Sequence, residues 1–349
     1  MATLYIFNPE HDIALASNLS NFTAPHAGRK LRADLGFLPA LWADEDDYIL
    51  VENVNQAVKA WGRLRARTGS GQRHFIDKNQ LTHININKVE PWGWDLALQS
   101  FLLRYGVENV PSEEAIAVIR DLSHRKQAVS LLSELQMPGT TGYSICVNSM
   151  SEVFNMLSEY GHIVVKAPWS SSGRGVRFID GEFSDSQQRW VQNVIEKQGS
   201  VVLEPYYHKV KDFGMEFESD GKGQIKYLGL SLFHTKNGAY TGNLIASEEE
   251  KENILSNYIS TDLLRNIREM VCYKLGALYS NKYQGPFGID MMVVATDEKD
   301  GFLLHPCAEI NLRRTMGHVA LSIPPFADGY ARVMQIILTD KYRIRVRKP

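Results

Sequence analysis

Short apolar runs alternate with helix-like stretches along the first third of the chain. Residues 4–7 and 48–51 are apolar runs of strand length, and each is followed by polar or turn-forming residues. Strands that alternate with helical segments are typical of an open α/β domain. The pattern predicts such a domain over residues 1–112, because Pro111-Ser112 is a break after which Glu113 begins a helix.

The remaining chain shows the same two periodicities in longer elements. Apolar residues three and four apart predict helices at 123–135, 151–160 and 261–275. Strands are predicted at 162–166, 201–204, 225–233, 287–294 and 302–311. The basic tail, 341–348, alternates charged and apolar residues, which favours a half-buried strand over a nucleic-acid patch.

Composition narrows the class of protein. A chain of 349 residues is long enough for two or three domains. The net charge of −2 gives no reason to expect nucleic acid or an anionic membrane as a partner. The three scattered cysteines, the start without a basic leader and the lack of a long apolar run predict a cytoplasmic protein without disulfides.

A phosphate-binding loop is predicted after the strand that ends at Lys166. The loop contains Ser170, Ser171, Ser172, Gly173 and Gly175. Glycines allow close approach of the backbone to a ligand, backbone N–H groups and hydroxyls bind phosphate oxygens, and Lys166 adds a positive charge. The alternative is a surface turn that follows a solvated lysine.

A metal site is predicted on two strands near the end of the chain. Glu309 and Asn311 alternate along one strand, and Asp290 interrupts a neighbouring apolar strand. Their oxygens suit Mg²⁺ bound together with phosphates. If the strand continues, Arg313 projects to the same side and stabilises charge on a transferring phosphoryl group. A solvated strand face is the alternative.

Taken in order, these segments resemble the ATP-grasp superfamily. Glu309-Ile310-Asn311-Leu312-Arg313 is similar to the ending found in its biotin carboxylase and carbamoyl phosphate synthetase branches. The resemblance implies an α/β and α+β fold in which the N-terminal domain precedes a two-lobed grasp domain, with lobes at 113–200 and 201–349. It also implies further ATP contacts: Lys126 as the first ATP lysine, Glu204 and Tyr206 at the adenine, and Asp212 at the ribose.

Other polar residues keep two interpretations each. Lys236 and Tyr240 lie in a glycine-containing stretch that is either a lid over the phosphates or a plain hairpin. His11 and Asp12 follow the first strand, where they would contact an acceptor substrate or begin a helix. For His305 and His318, satisfied structural histidines are favoured over catalytic bases.

The resemblance implies a ligase that uses ATP and Mg²⁺ and forms ADP. A small-molecule or peptide carboxylate would become an acyl phosphate, which an amine or similar nucleophile then attacks, with Lys166 and Arg313 as the catalytic cations. A carboxylase or kinase on the same fold and a non-catalytic nucleotide-binding protein are the alternatives. The sequence leaves the substrates and a homo-oligomeric state open, since fold does not determine substrate.

Overall fold

A computed structural model of the chain describes residues 2–68, 71–170, 175–236, 239–298, 301–326 and 329–348. The side chains of Arg67, Thr68, Lys236 and Ala239 lie outside this description. Within these ranges, no helix has both the length and the apolar character that are needed to cross a bilayer.

The helices are α1 (His11–Ser17), α2 (His26–Leu35), α3 (Val54–Thr68), α4 (Leu96–Arg104), α5 (Glu113–Leu122), α6 (Lys126–Glu134), α7 (Met150–Tyr160), α8 (Asp185–Gln198), α9 (Glu248–Leu255), α10 (Thr261–Tyr279) and α11 (Met316–Leu321). The strands are β1 (Thr3–Ile6), β2 (Tyr48–Leu50), β3 (His74–Ile76), β4 (Lys88–Pro91), β5 (Ile145–Val147), β6 (His162–Lys166), β7 (Val176–Asp180), β8 (Val201–Pro205), β9 (Lys209–Asp220), β10 (Ile225–Lys236), β11 (Ala239–Ile245), β12 (Gln284–Ala295), β13 (Phe302–Asn311), β14 (Arg332–Leu338) and β15 (Tyr342–Arg347). All the helices and strands named from the sequence pattern are present.

The chain forms two compact units. The first consists of Met1–Arg120, Thr241–Ser247 and Arg313–Pro349, and the second of Asp121–Tyr240 and Glu248–Leu312. The predicted break at Pro111-Ser112 does precede a helix, α5, but most of α5 belongs to the first unit. The sequence partition also had no place for the return of the C-terminal segment to the N-terminal unit.

A parallel sheet organises the first unit. Its strand order is β3-β2-β1-β4, so β1 is central and its apolar residues are covered on both faces. Leu4 and Ile6 contribute to one core together with residues of α4, whereas Phe7 contributes to a second core. The carboxyl ends of all four strands lie at one edge of this sheet, which is where parallel α/β sheets bind ligands.

The C-terminal segment completes the second of these cores. β14 pairs antiparallel with β11 and with β15. Ile245, Val319 and Met334 are buried in the same core as Phe7 and Trp92. The predicted half-buried tail strand is confirmed, because residues of β15 alternate between intermediate and exposed positions. This shared core is the physical reason why the segment groups with the N-terminal residues.

Two antiparallel sheets form the second unit. One has the order β13-β12-β9-β10, and α10 packs its Leu264, Ile267 and Val271 side against it. The other has the order β5-β8-β6-β7, covered by α7 and α8. The mixed α/β and α+β class expected from the sequence is confirmed.

Local signals explain where the helices of the second unit begin and end. In α7, Ser149 and Glu152 form a reciprocal capping box, and the helix ends at Gly161, which has φ +68°. α6 ends at Glu134, shortly before Met137-Pro138, where a proline cannot continue a helix. Because α6 packs against β13, its first residues lie beside the predicted metal strand.

Candidate functional site

Lys166 links the two sheets of the second unit. It is the last residue of β6, and its Nζ lies 2.7 Å from Oε1 of Glu204 on β8. The ammonium also donates to the carbonyl oxygen of Ala308 on β13 at 3.2 Å. Both charged side chains are buried, at 12% and 5% exposure. Since an ammonium has three donors, one remains for a ligand beyond these two partners.

Arg125, which directly precedes α6, also contacts β13. Its Nη2 donates to Glu309 Oε1 at 2.6 Å and to Ser170 Oγ at 3.2 Å. Its backbone N–H donates to the Pro168 carbonyl at 3.3 Å, and the side chain is only 6% exposed. A buried guanidinium therefore joins the first loop residue to the metal strand. Arg125 is not among the residues predicted from the sequence, although it directly precedes Lys126, which is.

Lys126 is not brought to this cluster. Its ammonium pairs with Asp121, and the two side chains are 45% and 58% exposed. Successive residues of a helix point about 100° apart, so Arg125 and Lys126 cannot both face β13. The structure thus places the arginine, rather than the predicted ATP lysine, next to Glu309.

The predicted metal ligands lie together on β12 and β13. Asp290 is directly opposite Glu309, and Gly288 is opposite Asn311. Asn311 Nδ2 donates to Asp290 Oδ2 at 3.1 Å. A Cβ on Gly214 of β9 would lie 3.4 Å from Asp290 Oδ1, so glycine leaves room beside this carboxylate.

The chemistry of this set fits Mg²⁺ shared with another ligand. Among the described residues, no cluster of three or more His, Cys, Asp or Glu side chains could hold a metal on its own. Two carboxylates and an amide supply only hard oxygens. Mg²⁺ ordinarily combines one or two carboxylates with waters and substrate phosphates.

Of the predicted adenine contacts, Glu204 lies in β8 and Tyr206 directly follows it. The Tyr206 ring stacks on the His162 ring with centroids 3.9 Å apart and planes 2° from parallel. The Tyr206 N–H donates to the His162 carbonyl at 2.9 Å. That N–H is therefore already engaged, and an adenine ring would need another donor of this segment.

Comparison with solved structures identifies the architecture. N5-carboxyaminoimidazole synthetase from Staphylococcus aureus, complexed with ADP, is 14% identical, with a TM-score of 0.50 over 97% of this chain and 82% of that one. The biotin carboxylase domain of Hydrogenobacter thermophilus 2-oxoglutarate carboxylase, in complex with MgADP, ADP and bicarbonate, is 13% identical, with a TM-score of 0.53 over 96% and 74%. A protein from Archaeoglobus fulgidus assigned to the ATP-grasp superfamily is 11% identical, with a TM-score of 0.50 over all of both chains. The chain has the ATP-grasp fold. No protein-family model and no curated protein sequence matches it.

Part of the predicted phosphate loop of this ATP-grasp fold lies outside the described residues. This applies to Ser171, Ser172 and Gly173, and also to the side chain of Lys236. Gly175 is described, and its carbonyl accepts from the Ala167 N–H at 2.8 Å. A Cβ on Gly175 would collide with the Ser170 side chain, so a larger residue there would displace Ser170.

Asp212, the predicted ribose acid, is held by its neighbours on β9 and β10. Its Oδ2 accepts from Lys209 Nζ at 2.6 Å and from Thr235 Oγ1 at 2.7 Å. The carboxylate is 16% exposed. A ribose hydroxyl would therefore share this group with two protein donors.

His305 is buried without the hydrogen bonds that the sequence interpretation expected. It is 0% exposed, and neither ring nitrogen has a hydrogen-bond partner among the described residues. A Cβ on Gly142 would lie 2.8 Å from its ring. Burial lowers the pKa of His305 to about 4, although Glu204 acts in the opposite direction. The prediction of a hydrogen-bonded structural histidine is therefore wrong for His305. His318, by contrast, accepts a hydrogen bond from the Thr315 N–H at its Nδ1, at 3.1 Å.

Arg313 does not continue the alternation of Glu309 and Asn311. β13 ends at Asn311, so the premise that placed Arg313 on the same strand face is wrong. Its Nε and Nη2 donate to the two carboxylate oxygens of Asp12 at 2.9 and 2.8 Å. Both residues belong to the first unit, where this bidentate pair joins α1 to the C-terminal segment.

His11 is part of the packing of the first unit. It is 1% exposed, and a Cβ on Gly93 would lie 2.6 Å from its ring. Its Nδ1 lies 3.5 Å from Asp95 Oδ2. α1 does begin at His11, as the alternative interpretation of this stretch expected, but its N-cap is Glu10, which makes no side-chain cap.

Proposed function

We propose that this chain binds ATP with Mg²⁺ through the Arg125, Lys166 and Glu309 cluster and phosphorylates a carboxylate substrate. The observation that supports the proposal most is that two cations contact β13, the strand that carries Glu309 and Asn311, within one unit of an ATP-grasp fold. Arg125 contacts Glu309, and Lys166 contacts the carbonyl of the preceding residue, Ala308.

The reaction would proceed in two steps. A substrate carboxylate oxygen attacks the γ-phosphorus while the bond to the β–γ bridging oxygen breaks, so that ADP leaves and an acyl phosphate forms. An amine or similar nucleophile then attacks the acyl carbon, inorganic phosphate leaves, and the nucleophile releases its proton to solvent. Neither step needs a protein nucleophile, because phosphoryl transfer depends mainly on positioning and charge stabilisation.

Arg125 and Lys166 would hold the phosphates with the donors that their present partners leave available. Each cation already has a carboxylate partner, Glu309 and Glu204 respectively. A phosphate oxygen would take up a remaining donor of each, and such charge-assisted bonds are stronger than neutral ones. We assign to these two residues the charge stabilisation that the sequence interpretation gave to Arg313, whose guanidinium is held by Asp12.

Asp290, Glu309 and Asn311 would bind Mg²⁺ together with the phosphates. When bound, the ion neutralises phosphate charge and fixes the phosphate orientation. Glu309 would then lie between the metal and Arg125, which contacts its Oε1. The Arg125 contact leaves the second carboxylate oxygen for the metal.

Glu204, Tyr206 and Asp212 would bind the nucleoside. Glu204 is buried and is oriented by Lys166, so it can accept from the adenine amine. Tyr206 and its neighbours would contact the ring edge, and Asp212 would accept from a ribose hydroxyl. The side chain of Lys236 and the loop 171–174 are proposed as phosphate contacts from the sequence alone.

Thermal unfolding in the presence of MgATP tests the nucleotide proposal. A ligand at about a hundred times its Kd stabilises the native state by about 2.7 kcal/mol, so the midpoint should rise with nucleotide concentration. Lys166→Ala should reduce this rise relative to its own ligand-free midpoint. Glu309→Gln should weaken the part of the rise that depends on Mg²⁺, measured with and without EDTA.

Lys341→Ala is the matched control, because Lys341 precedes the tail strand β15 and should leave the rise unchanged. A folded wild-type sample whose midpoint does not move at millimolar MgATP would remove the basis of the proposal. Equal rises in wild type and Lys166→Ala would show that nucleotide binds elsewhere.

A bicarbonate-dependent carboxylase is the second candidate. One structure with the same fold is described as a complex with MgADP and bicarbonate. ADP release should be screened over pools of carboxylates and amines, each with and without bicarbonate. Strict bicarbonate dependence would favour a carboxylase, a stable phosphorylated product a kinase, and nucleotide binding without any ADP release a non-catalytic protein.

A further inference from the structure

The first unit contains a large pocket at the carboxyl ends of its parallel strands. The pocket has a volume of about 670 Å³ and is bounded by the ends of β1 and β2, the residue after β3, and α2 and α4. Ligand sites commonly have volumes of about 300–1,000 Å³ and occur at this edge of open α/β sheets. The nucleotide proposal uses none of its lining residues.

The carboxylates of the pocket are already used by the protein. Glu10 and Glu52 both accept from Arg32. Asp95 caps α4 by accepting from the Leu98 N–H at 2.9 Å, and Asp77 caps a short 3-10 helix in the same way. These four acids therefore do not leave the pocket with a strong preference for a cation.

Two of its cations, by contrast, have no partner in the described ranges of the chain. The guanidinium groups of Arg29 and Arg104 make no ion pair or hydrogen bond with any described residue, although both line the pocket. A third cation, Lys78, has its ammonium 5.7 Å from the Tyr105 ring centroid and makes no ion pair with the residues that the structure describes. These cations face the pocket and are not neutralised by a carboxylate of the described chain. Such cations favour an anionic ligand.

The inner wall of the pocket contains apolar surface and a buried polar group. Phe22, Val51, Leu98 and Phe101 line it, so the ligand would have an apolar body. Glu10 is 6% exposed, and its Oε2 has no hydrogen-bond partner among the described residues. Asn21 and Asn79 also line the pocket and would bind neutral polar groups.

We infer that this pocket binds a small organic anion, with Arg29 and Arg104 holding its carboxylate or phosphate group. The site requires neither ATP nor Mg²⁺, so the inference stands apart from the proposed nucleotide chemistry. Carboxylate and phosphate share the recognition by guanidinium, and the choice between them depends on which group the apolar wall allows to reach both arginines.

Binding should be measured without nucleotide, using a panel of probes. The panel contains inorganic phosphate, sugar phosphates, and aliphatic and aromatic carboxylates, each organic anion beside an uncharged ester or alcohol analogue. At least one anion should raise the thermal midpoint while its neutral analogue does not. Phosphate-bearing and carboxylate-bearing members distinguish the two anionic groups.

Variants then test the location by calorimetry with the best anion of the panel. The double change Arg29→Ala and Arg104→Ala should weaken binding by about tenfold or more, as expected for the loss of charge-assisted bonds. Ala97→Phe, which keeps every charge, should weaken it by filling the pocket. Arg63→Ala, on α3 of the same unit and outside this pocket, should bind as wild type does.

The inference is overturned if no member of the panel binds below about 10 mM, which corresponds to negligible affinity. It is also overturned if neutral analogues bind as tightly as the anions, or if the double arginine variant keeps wild-type affinity. Because Arg29 and Arg104 are exposed, their removal should not prevent folding, so a result from that variant is decisive even if Ala97→Phe is unstable.

Discussion

The cations of the second unit and those of the pocket in the first unit are held in opposite ways. Arg125 and Lys166 are almost fully buried, and each has a carboxylate partner within 2.7 Å. Arg29 and Arg104 are exposed and have no such partner within the described part of the chain. A buried charge without a counter-charge is very costly, whereas water solvates an exposed arginine. A cation that is buried away from water therefore needs a carboxylate partner even when no ligand is bound.

The largest effect predicted from this difference concerns His305, beside the buried pair. Its ordinary pKa is 6.5, and burial lowers the folded-state value to about 4. Protonation therefore favours the unfolded chain. The free energy of unfolding should be intact above pH 6.5 and should fall by about 3 kcal/mol as the pH drops toward 4.

His305→Leu should remove this part of the acid sensitivity, measured by urea unfolding at several pH values. At neutral pH the variant should be about as stable as wild type, because an unsatisfied polar group is replaced by an apolar one. His26→Leu, at an exposed position of α2, is the control. If the free energy of unfolding fell equally for His305→Leu and wild type between pH 6.5 and 4, burial would not lower the pKa of His305.

The next effect compares two neighbours, Arg125 and Lys126. Arg125→Ala should lower the free energy of unfolding by about 2 kcal/mol, less than a fully buried pair because Glu309 is 28% exposed. Lys126→Ala removes the same charge one residue later but breaks only an exposed pair, so it should cost less than about 0.5 kcal/mol. Equal losses in the two variants, measured by denaturant unfolding, would contradict the placement of Arg125.

The smallest effect is expected in the pocket of the first unit. Without ligand, the free energy of unfolding of the double variant Arg29→Ala and Arg104→Ala should lie within about 0.5 kcal/mol of the wild-type value. Substitutions of surface residues that have no partner in the protein change this free energy little. The same denaturant titration checks it. A loss as large as that of Arg125→Ala would mean that these arginines are structural and that the contrast between the two regions does not hold.

The sequence predicted the elements better than their grouping. The helices, the strands and the alternation of Glu309 and Asn311 along β13 follow from local periodicity, which each segment carries by itself. The joining of 313–349 to the N-terminal core does not, because it depends on burial between distant segments such as Met334 and Phe7. The ATP-grasp fold was predicted from the order of the segments and is confirmed by solved structures.

Within the candidate site, the errors have local geometric causes. Whether Arg125 or Lys126 faces β13 depends on how α6 is rotated about its axis. The sequence at the start of a helix does not determine that rotation. The role given to Arg313 assumed that β13 continues two residues beyond Asn311. The missing partners of His305 depend on packing against Gly142, which no pattern in the sequence indicates.

The way the first unit is assembled from separate stretches of chain bears on how the protein is made. Its core needs Val319 and Met334, which the ribosome adds only after the whole second unit has been synthesised. Phe7 and Trp92 precede the second unit in the chain, so they lack these two partners until the second unit has been made. The second unit is complete once Leu312 has been added, because both of its segments lie within residues 121–312, so it can fold first. The core of the first unit is therefore completed last, and we expect its apolar residues to stay accessible to chaperones until then.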